Sequence, residues 1–294
     1  MISKPRVFIS VPMDQHLDAR QRSIKHAILD GVRNEGFEPQ EFFVSGLPLR
    51  MPYSFENARE VMDRCQGAVI LAFARWSTGN AAVPTVWNHY EGALAKALGK
   101  ETLVVTEDMV RSDGITWTGG GHIILWIPES AGAEWIQSDG FRQQFRAWVE
   151  EVKKRKHIFF GYSSKARATG NDISNFLQSI EVTVRNWEID FHPGGTILDE
   201  IRHAARSTLG GIFSLTKDDD LVSGDTQYAA PRDNVIFEAG FFMQSKGRDR
   251  VLMIREQDAK MPADVGGSIY ISLRDRTDIS PIHTKLRDFV ENKL

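Results

Sequence analysis

The chain has a single cysteine, Cys65, among its 294 residues. An internal disulfide is therefore excluded, and a reducing compartment fits. Cys65 lies in "NAREVMDRCQGAVILAF", where a helix hands over to a strand, and its reading there is packing rather than a reactive thiol. No apolar run approaches the roughly 20 residues that span a bilayer, so no membrane segment is expected. The eight histidines show no metal-ligand spacing, and no metal is expected. Excess charge is scarce too: a net charge of −3 gives no reason to expect nucleic acid as a partner. The basic run "KKRKH", Lys153 to His157, reads as a helix end, where cations favour the dipole. The chain enters a strand almost at once, at "RVFISV", with no signal peptide read before it, and a cytoplasmic location is expected.

What is present is an ordinary globular composition, 41% hydrophobic and 26% charged, with length enough for two domains. The sequence also reads twice. "RVFISVP" at Arg6 has its counterpart in "HIFFGYS" at His157, each an apolar run followed by a polar loop and a helix. "SFENAREVMDRCQGAVILAF" pairs with "TILDEIRHAARSTLGGIFSL", each a capped helix running into a buried strand. Asn57 with Glu60 and Thr196 with Asp199 are the expected caps. "WNHYEGALAKALGKETLVVT" pairs with "NVIFEAGFFMQSKGRDRVLMI", "GGGHIILWIP" with "VGGSIYISLR", and "FRAWVEEVKK" with "LRDFVENKL".

Strands that are apolar throughout, alternating with helices, indicate parallel sheets covered on both faces. The expected fold is α/β: two tandem flavodoxin-like domains, 1–152 and 157–294, each a five-stranded parallel sheet with helices on both faces. In such sheets ligands bind beyond the carboxyl ends of the strands. Candidate walls are then Val11 to Asp14, Tyr162 to Arg167, and the loop carrying Lys217, Asp218 and Asp219.

Each copy places a Glu early in the helix that starts at this edge. Glu91 has a structural alternative, a capping box with Asn88 three residues earlier. Glu238, in "DNVIFEAGFF", does not: Asn234 lies four residues before it and Asp233 five. Helical spacing puts Glu238 between Val235 and Phe242 on an apolar stripe. A carboxylate there is costly without a partner, which makes it a functional candidate.

The blocks "HIFFGYSS", "GGTILDEI", "GGIFSLTKDDD", "APRDNVIFEAGFFMQSKGRDRV" and "MPADVGGSIYISL" resemble the TIR-like domain of effectors in cyclic-nucleotide-activated antiphage systems, the CBASS and Pycsar groups. The resemblance runs from about His157 to Leu273. It implies an NAD-cleaving enzyme with Glu238 as the catalytic residue, NAD as substrate and no separate cofactor. Nicotinamide in NAD is already a cationic leaving group and the transition state is oxocarbenium-like, so one carboxylate suffices where a glycosidase needs two. Ser163 and Ser164, after the first strand of this half, are candidate nucleotide contacts, with turn chemistry as the alternative. Trp187 and the "DFHPGG" loop with Gly194 and Gly195 match the family's loop beside the substrate. Asp218 and Asp219 match its acidic loop, and Arg232 and Asp233 flank the catalytic helix. Homo-oligomerisation is implied as well.

The first half, through "VFISVPM" and "YEGALAKALGK", is similar to nucleoside 2-deoxyribosyltransferases and to TIR-like relatives. That resemblance implies a nucleotide site with Pro12 and Glu91, the latter as nucleophile in the transferases. Those enzymes keep an Asp ahead of the central strand, where this chain has Cys65 and Gln66. The favoured expectation is a sensor for a cyclic nucleotide or other nucleotide messenger, or an assembly domain. A nucleoside N-glycosidase or deoxyribosyltransferase using Glu91 and a non-enzymatic signalling module are the alternatives.

Overall fold

The computed structural model describes residues 4–42, 54–154, 158–190, 196–223, 226–261 and 270–294. The chain forms two compact units, Lys4–Arg155 and Lys156–Leu294. In the first unit the order is β1 (Arg6–Ser10), α1 (Ala19–Asn34), β2 (Glu38–Glu41), α2 (Phe55–Asp63), β3 (Gly67–Ala72), β4 (Trp76–Ser77), β5 (Ala82–Val83), α3 (Val86–Ala97), β6 (Glu101–Glu107), β7 (Ile123–Ile127) and α4 (Asp139–Lys154). The second runs β8 (Ile158–Gly161), α5 (Arg167–Ser179), β9 (Val184–Asn186), α6 (Trp187–Asp190), α7 (Ile197–Ser207), β10 (Gly210–Leu215), β11 (Asp219–Ser223), β12 (Thr226–Ala230), α8 (Asp233–Lys246), β13 (Val251–Glu256), β14 (Tyr270–Leu273) and α9 (His283–Lys293).

The main sheets follow one pattern. The first is ordered β2-β1-β3-β6-β7 and the second β9-β8-β10-β13-β14, with every pairing parallel. Both are thus second, first, third, fourth and fifth strand, the flavodoxin-like order, whose ligand crevice opens beside the first and third strands. The central strands β3 and β10 are buried along their whole length, as continuous apolar sequence between two helical layers requires. In the first unit, Ile24, Ile28, Phe145 and Trp148 of α1 and α4 cover one face, and Ala58, Met62 and Leu94 of α2 and α3 cover the other. Cys65 belongs to this second cluster and is buried there. In the second unit the layers are α5 with α9, through Ile173, Leu177, Leu286 and Phe289, and α7 with α8, through Ile201, Val235 and Phe242.

Two of the expected caps move. Helix α2 is capped by Ser54, whose hydroxyl accepts from the Asn57 amide, so Asn57 is the third helical residue and not the cap. Helix α3 is capped by Thr85 in a capping box with Asn88, so Asn88 does not cap a turn closed by Glu91. In both cases a hydroxyl three residues upstream competed with the asparagine and won the N-cap. Thr196 does cap α7, accepting from the Asp199 amide at 3.1 Å. Lys153 and Lys154 lie in the last turn of α4.

Each unit also inserts an antiparallel hairpin between its third strand and the Glu-bearing helix, β4–β5 in the first and β11–β12 in the second. No helix of the described residues is long and apolar enough to cross a membrane. Among them, no group of three or more His, Cys, Asp or Glu side chains is placed to hold a metal ion.

Candidate active site

Glu238 is the sixth residue of α8, a helix whose N-cap position is Arg232 and carries no side-chain cap bond. It therefore stands a full turn beyond the reach of any capping role. Its side chain joins Val235, Ala239 and Phe242 on the buried stripe and is 7% exposed. The stripe is pinned by Phe242, which stacks on Phe159 at 5.0 Å and meets Phe213 edge-on at 5.3 Å. Emptying a ring of this kind costs about 3–5 kcal/mol.

The carboxylate lies against the end of β8. A Cβ built on Gly161 would come within 2.8 Å of Glu238 Oε2 and 2.6 Å of the Phe213 ring. Glycine is what lets the acid approach bare backbone. Oε2 is buried and has no hydrogen-bond partner among the described residues. Burial alone raises its pKa from 4.5 to about 7. A desolvated carboxyl that ionises near neutrality suits stabilisation of a developing cation better than it suits stability.

The other residues read from the sequence divide by environment. Ser163 is buried and its hydroxyl has no partner among the described residues, while Ser164 is exposed and opens the turn Ser164–Ala166. The Trp187 indole packs edge-on to Tyr162 at 6.3 Å, and its buried Nε1 finds no partner among the described residues. Tyr162 in turn accepts from Asn186 Nδ2 at 2.6 Å. Arg232 pairs with Asp219 at 3.2 Å at the mouth of α8, and Asp233 is exposed. Asp218 is buried, accepting from the Thr216 hydroxyl at 2.7 Å and facing Arg276 at 3.5 Å. Gly194 and Gly195 lie outside the described residues.

Sequence reasoning passed over the group that organises this edge. Glu256, ending β13, accepts from the Lys217 amide at 2.7 Å and from Arg276 at 2.7 and 2.9 Å. Burial works against the Glu256 charge, but the bonds from Arg276 and the Lys217 amide outweigh it and hold the carboxyl below its usual range. The first unit repeats the device: Glu107, ending β6, accepts from the Ala74 amide at 2.7 Å and from Gln21 at 2.9 Å, and pairs with Arg20. An acid closing the fourth strand of both copies was the available signal.

In the first unit, Glu91 is the sixth residue of α3 and is buried. It lines a cavity of about 540 Å³ together with Pro12, Phe42, Trp76, Trp87 and Asn88. The structure thus brings Pro12 and Glu91 into one concave, largely apolar space. Asn88 donates to Ser10 Oγ at 3.0 Å in its floor. Lys25 in its wall donates to Asp14 at 2.8 Å and Glu41 at 2.7 Å. Burial opposes the Lys25 charge, yet those two bonds hold its ammonium above the ordinary value.

Comparison with known proteins bears chiefly on the second unit. Residues 157–275 match the family model described as "CAP12/Pycsar effector protein, TIR domain". CD-NTase-associated protein 12 of Sphingobacterium faecium is 32% identical over 113 residues, 38% of this chain and 35% of that protein. Pycsar effector protein XpPycTIR of Xanthomonas perforans is 35% identical over 180 residues, 55% of this chain and 59% of that protein. The alignments therefore cover between about a third and three-fifths of these relatives' own length. A solved structure, that of Clostridium botulinum CMP N-glycosidase BcmB, covers 45% of this chain and 95% of its own at 14% identity, with a TM-score of 0.31.

Proposed function

We propose that residues 157–275, which match the TIR-domain model of the CAP12/Pycsar effectors, act as such a domain, and that the chain is an antiphage effector whose Glu238 breaks the nicotinamide–ribose bond of NAD. The observation that carries this reading is the buried Glu238 carboxyl, whose Oε2 has no hydrogen-bond partner among the described residues and is set against Gly161, inside the matched segment.

The chemistry follows from that placement. The C1′–N bond of NAD breaks heterolytically, and its electron pair neutralises the nicotinamide ring. Positive charge then develops on the ribose, where the ionised Glu238 faces it in a desolvated setting that strengthens the attraction. Water attacks C1′ and loses a proton, giving ADP-ribose, nicotinamide and one proton. The approach of a cationic substrate lowers the Glu238 pKa from about 7, so that binding itself favours the ionised form. Trp187 and Ser163 supply an aromatic edge and a hydroxyl to the same crevice. No cofactor enters these steps.

The first unit is proposed to gate this activity through the cavity that holds Glu91, with a cyclic nucleotide or related messenger as ligand. A homo-oligomer in the cytoplasm is the proposed working form. The size of that cavity and the burial of Glu91 favour a second reading, nucleoside N-glycosidic chemistry at Glu91.

Nicotinamide release, followed by chromatography with and without a panel of cyclic mono-, di- and trinucleotides, separates the two. Release that depends on one messenger and is lost in Glu238→Gln supports the effector reading. No release under any condition, with Glu91-dependent turnover of a nucleoside, moves the chemistry to the first unit.

A further inference from the structure

Arg276 lies in "LRDRT" just after β14, one residue beyond the segment that matches the family model. Its guanidinium reaches three residues at the carboxyl edge of the second sheet. It donates to Glu256 at the end of β13 at 2.7 and 2.9 Å and to the Lys217 carbonyl at 3.0 Å, and it faces Asp218 at 3.5 Å. The Arg276 carbonyl accepts from Thr169 on α5 at 3.0 Å. A planar fork of five donors can hold several acceptors at fixed angles, which an ammonium cannot.

The segment so held, Thr216–Asp218, leads into the β11–β12 hairpin and through it to Arg232 and α8. The Asp218 amide donates to the Ala230 carbonyl at 3.0 Å, tying the start of the hairpin to its end. Lys165, from the loop after β8, donates to the Asp218 carbonyl at 2.5 Å. Asp219 pairs with Arg232 six residues before Glu238. A chain of contacts therefore runs from Arg276 to the mouth of the catalytic helix. The first unit has the same acid in Glu107, but draws its cation from α1 as Arg20. The fifth-strand loop of the second unit has taken over the clamp.

We propose that Arg276 is a positioning residue for the Glu238 site, clamping Thr216–Asp218 and the hairpin as the wall against which substrate is held. The proposal rests on the reading of Glu238 as the carboxylate that cleaves NAD. It makes the wall responsible for substrate affinity and leaves the bond-breaking step to Glu238.

The test uses the full chain with Arg276→Ala, Arg276→Lys and Glu256→Gln, and two independent readouts. In Arg276→Ala, amide exchange of the loop and hairpin strands, residues 216–223 and 226–230, is expected to rise about tenfold or more, while β8 and α5 exchange as before. In the same variant KM for NAD is expected to rise about tenfold with kcat changed less than about threefold. The pH at which activity is half-maximal stays where it was. Arg276→Lys recovers part of the KM effect, and Glu256→Gln combined with Arg276→Ala adds little to either alone. Unchanged exchange in the loop and hairpin overturns the proposal, as does a rise spread over the whole domain. A fall in kcat with KM unchanged overturns it too. If the unmodified chain releases no nicotinamide, the NAD reading fails by itself, and the exchange measurement still decides whether Arg276 clamps this wall.

Discussion

Glu91 and Glu238 are the same residue of the fold set in different surroundings. Each is the sixth residue of the helix that follows the third strand and its hairpin. The strand residue beside each is also equivalent, because Ser10 pairs with the fourth residue of β3 and Gly161 with the fourth of β10. In the first unit Ser10 and Asn88 fill this floor with a side-chain hydrogen bond. In the second, Gly161 and Val235 hold those positions, and the carboxylate closes on bare backbone. The lesson is that helix position delivers an acid to the crevice, while the residue ending the first strand decides whether polar groups meet it there.

The largest expected effect breaks this comparison directly. Glu238→Gln should lower NAD cleavage about a thousandfold or more, the scale of losing a main electrostatic stabiliser. Glu91→Gln, assayed by nicotinamide release under messenger-saturated conditions, should leave the bond-breaking rate within a few-fold. Equal losses in both variants would mean that the two copies share the chemistry.

The same substitution should stabilise the protein. Glu238 ionises near 4.5 when unfolded and at about 7 when folded, so its stability contribution is complete below pH 4.5 and lost as pH rises through 7. Glu238→Gln is therefore expected to gain about 3 kcal/mol at pH 8, with the advantage vanishing towards pH 4, as read by denaturant unfolding at both values. A gain at pH 8 that is absent in Glu91→Gln would sharpen the contrast between the sites. No gain would show that Glu238 is not desolvated in solution.

Activity should follow the same ionisation in the opposite sense. If the carboxylate is the working form, kcat/KM rises with pH and levels above about 7, falling about tenfold per unit below it. A flat profile from pH 5 to 8 would count against Glu238 acting as an anion.

Smaller effects come from exchanging the floors. Gly161→Ser adds a Cβ inside 3.0 Å of both Phe213 and Glu238, and should cost about 1–3 kcal/mol by overpacking, with a lower rate of NAD cleavage. Asn88→Ala leaves Ser10 without that donor and should cost about 1–2 kcal/mol of first-unit stability in a thermal melt. If Gly161→Ser retains full activity, the glycine is not what admits the acid.

Much of this was legible in the chain itself. Apolar strands at matching offsets, alternating with helices, imposed two parallel sheets because each strand must be covered on both faces. Glu238 stood out because an acid on a helical apolar stripe conflicts with the cost of desolvation. The caps at Ser54 and Thr85 were misplaced by three residues, since Ser, Thr and Asn compete for the same position and only backbone geometry chooses between them. The hairpins were too short and polar to announce themselves.

What the tertiary structure alone decided is which groups meet. Nothing in "IFFG" says that its glycine faces a carboxylate 77 positions later. Nothing in "LRDRT" says that Arg276 reaches back to Lys217 and Glu256. Periodicity reports which face of an element is buried, because burial repeats along the chain. Partners across a sheet edge do not repeat, and only the packed fold brings them within hydrogen-bond range.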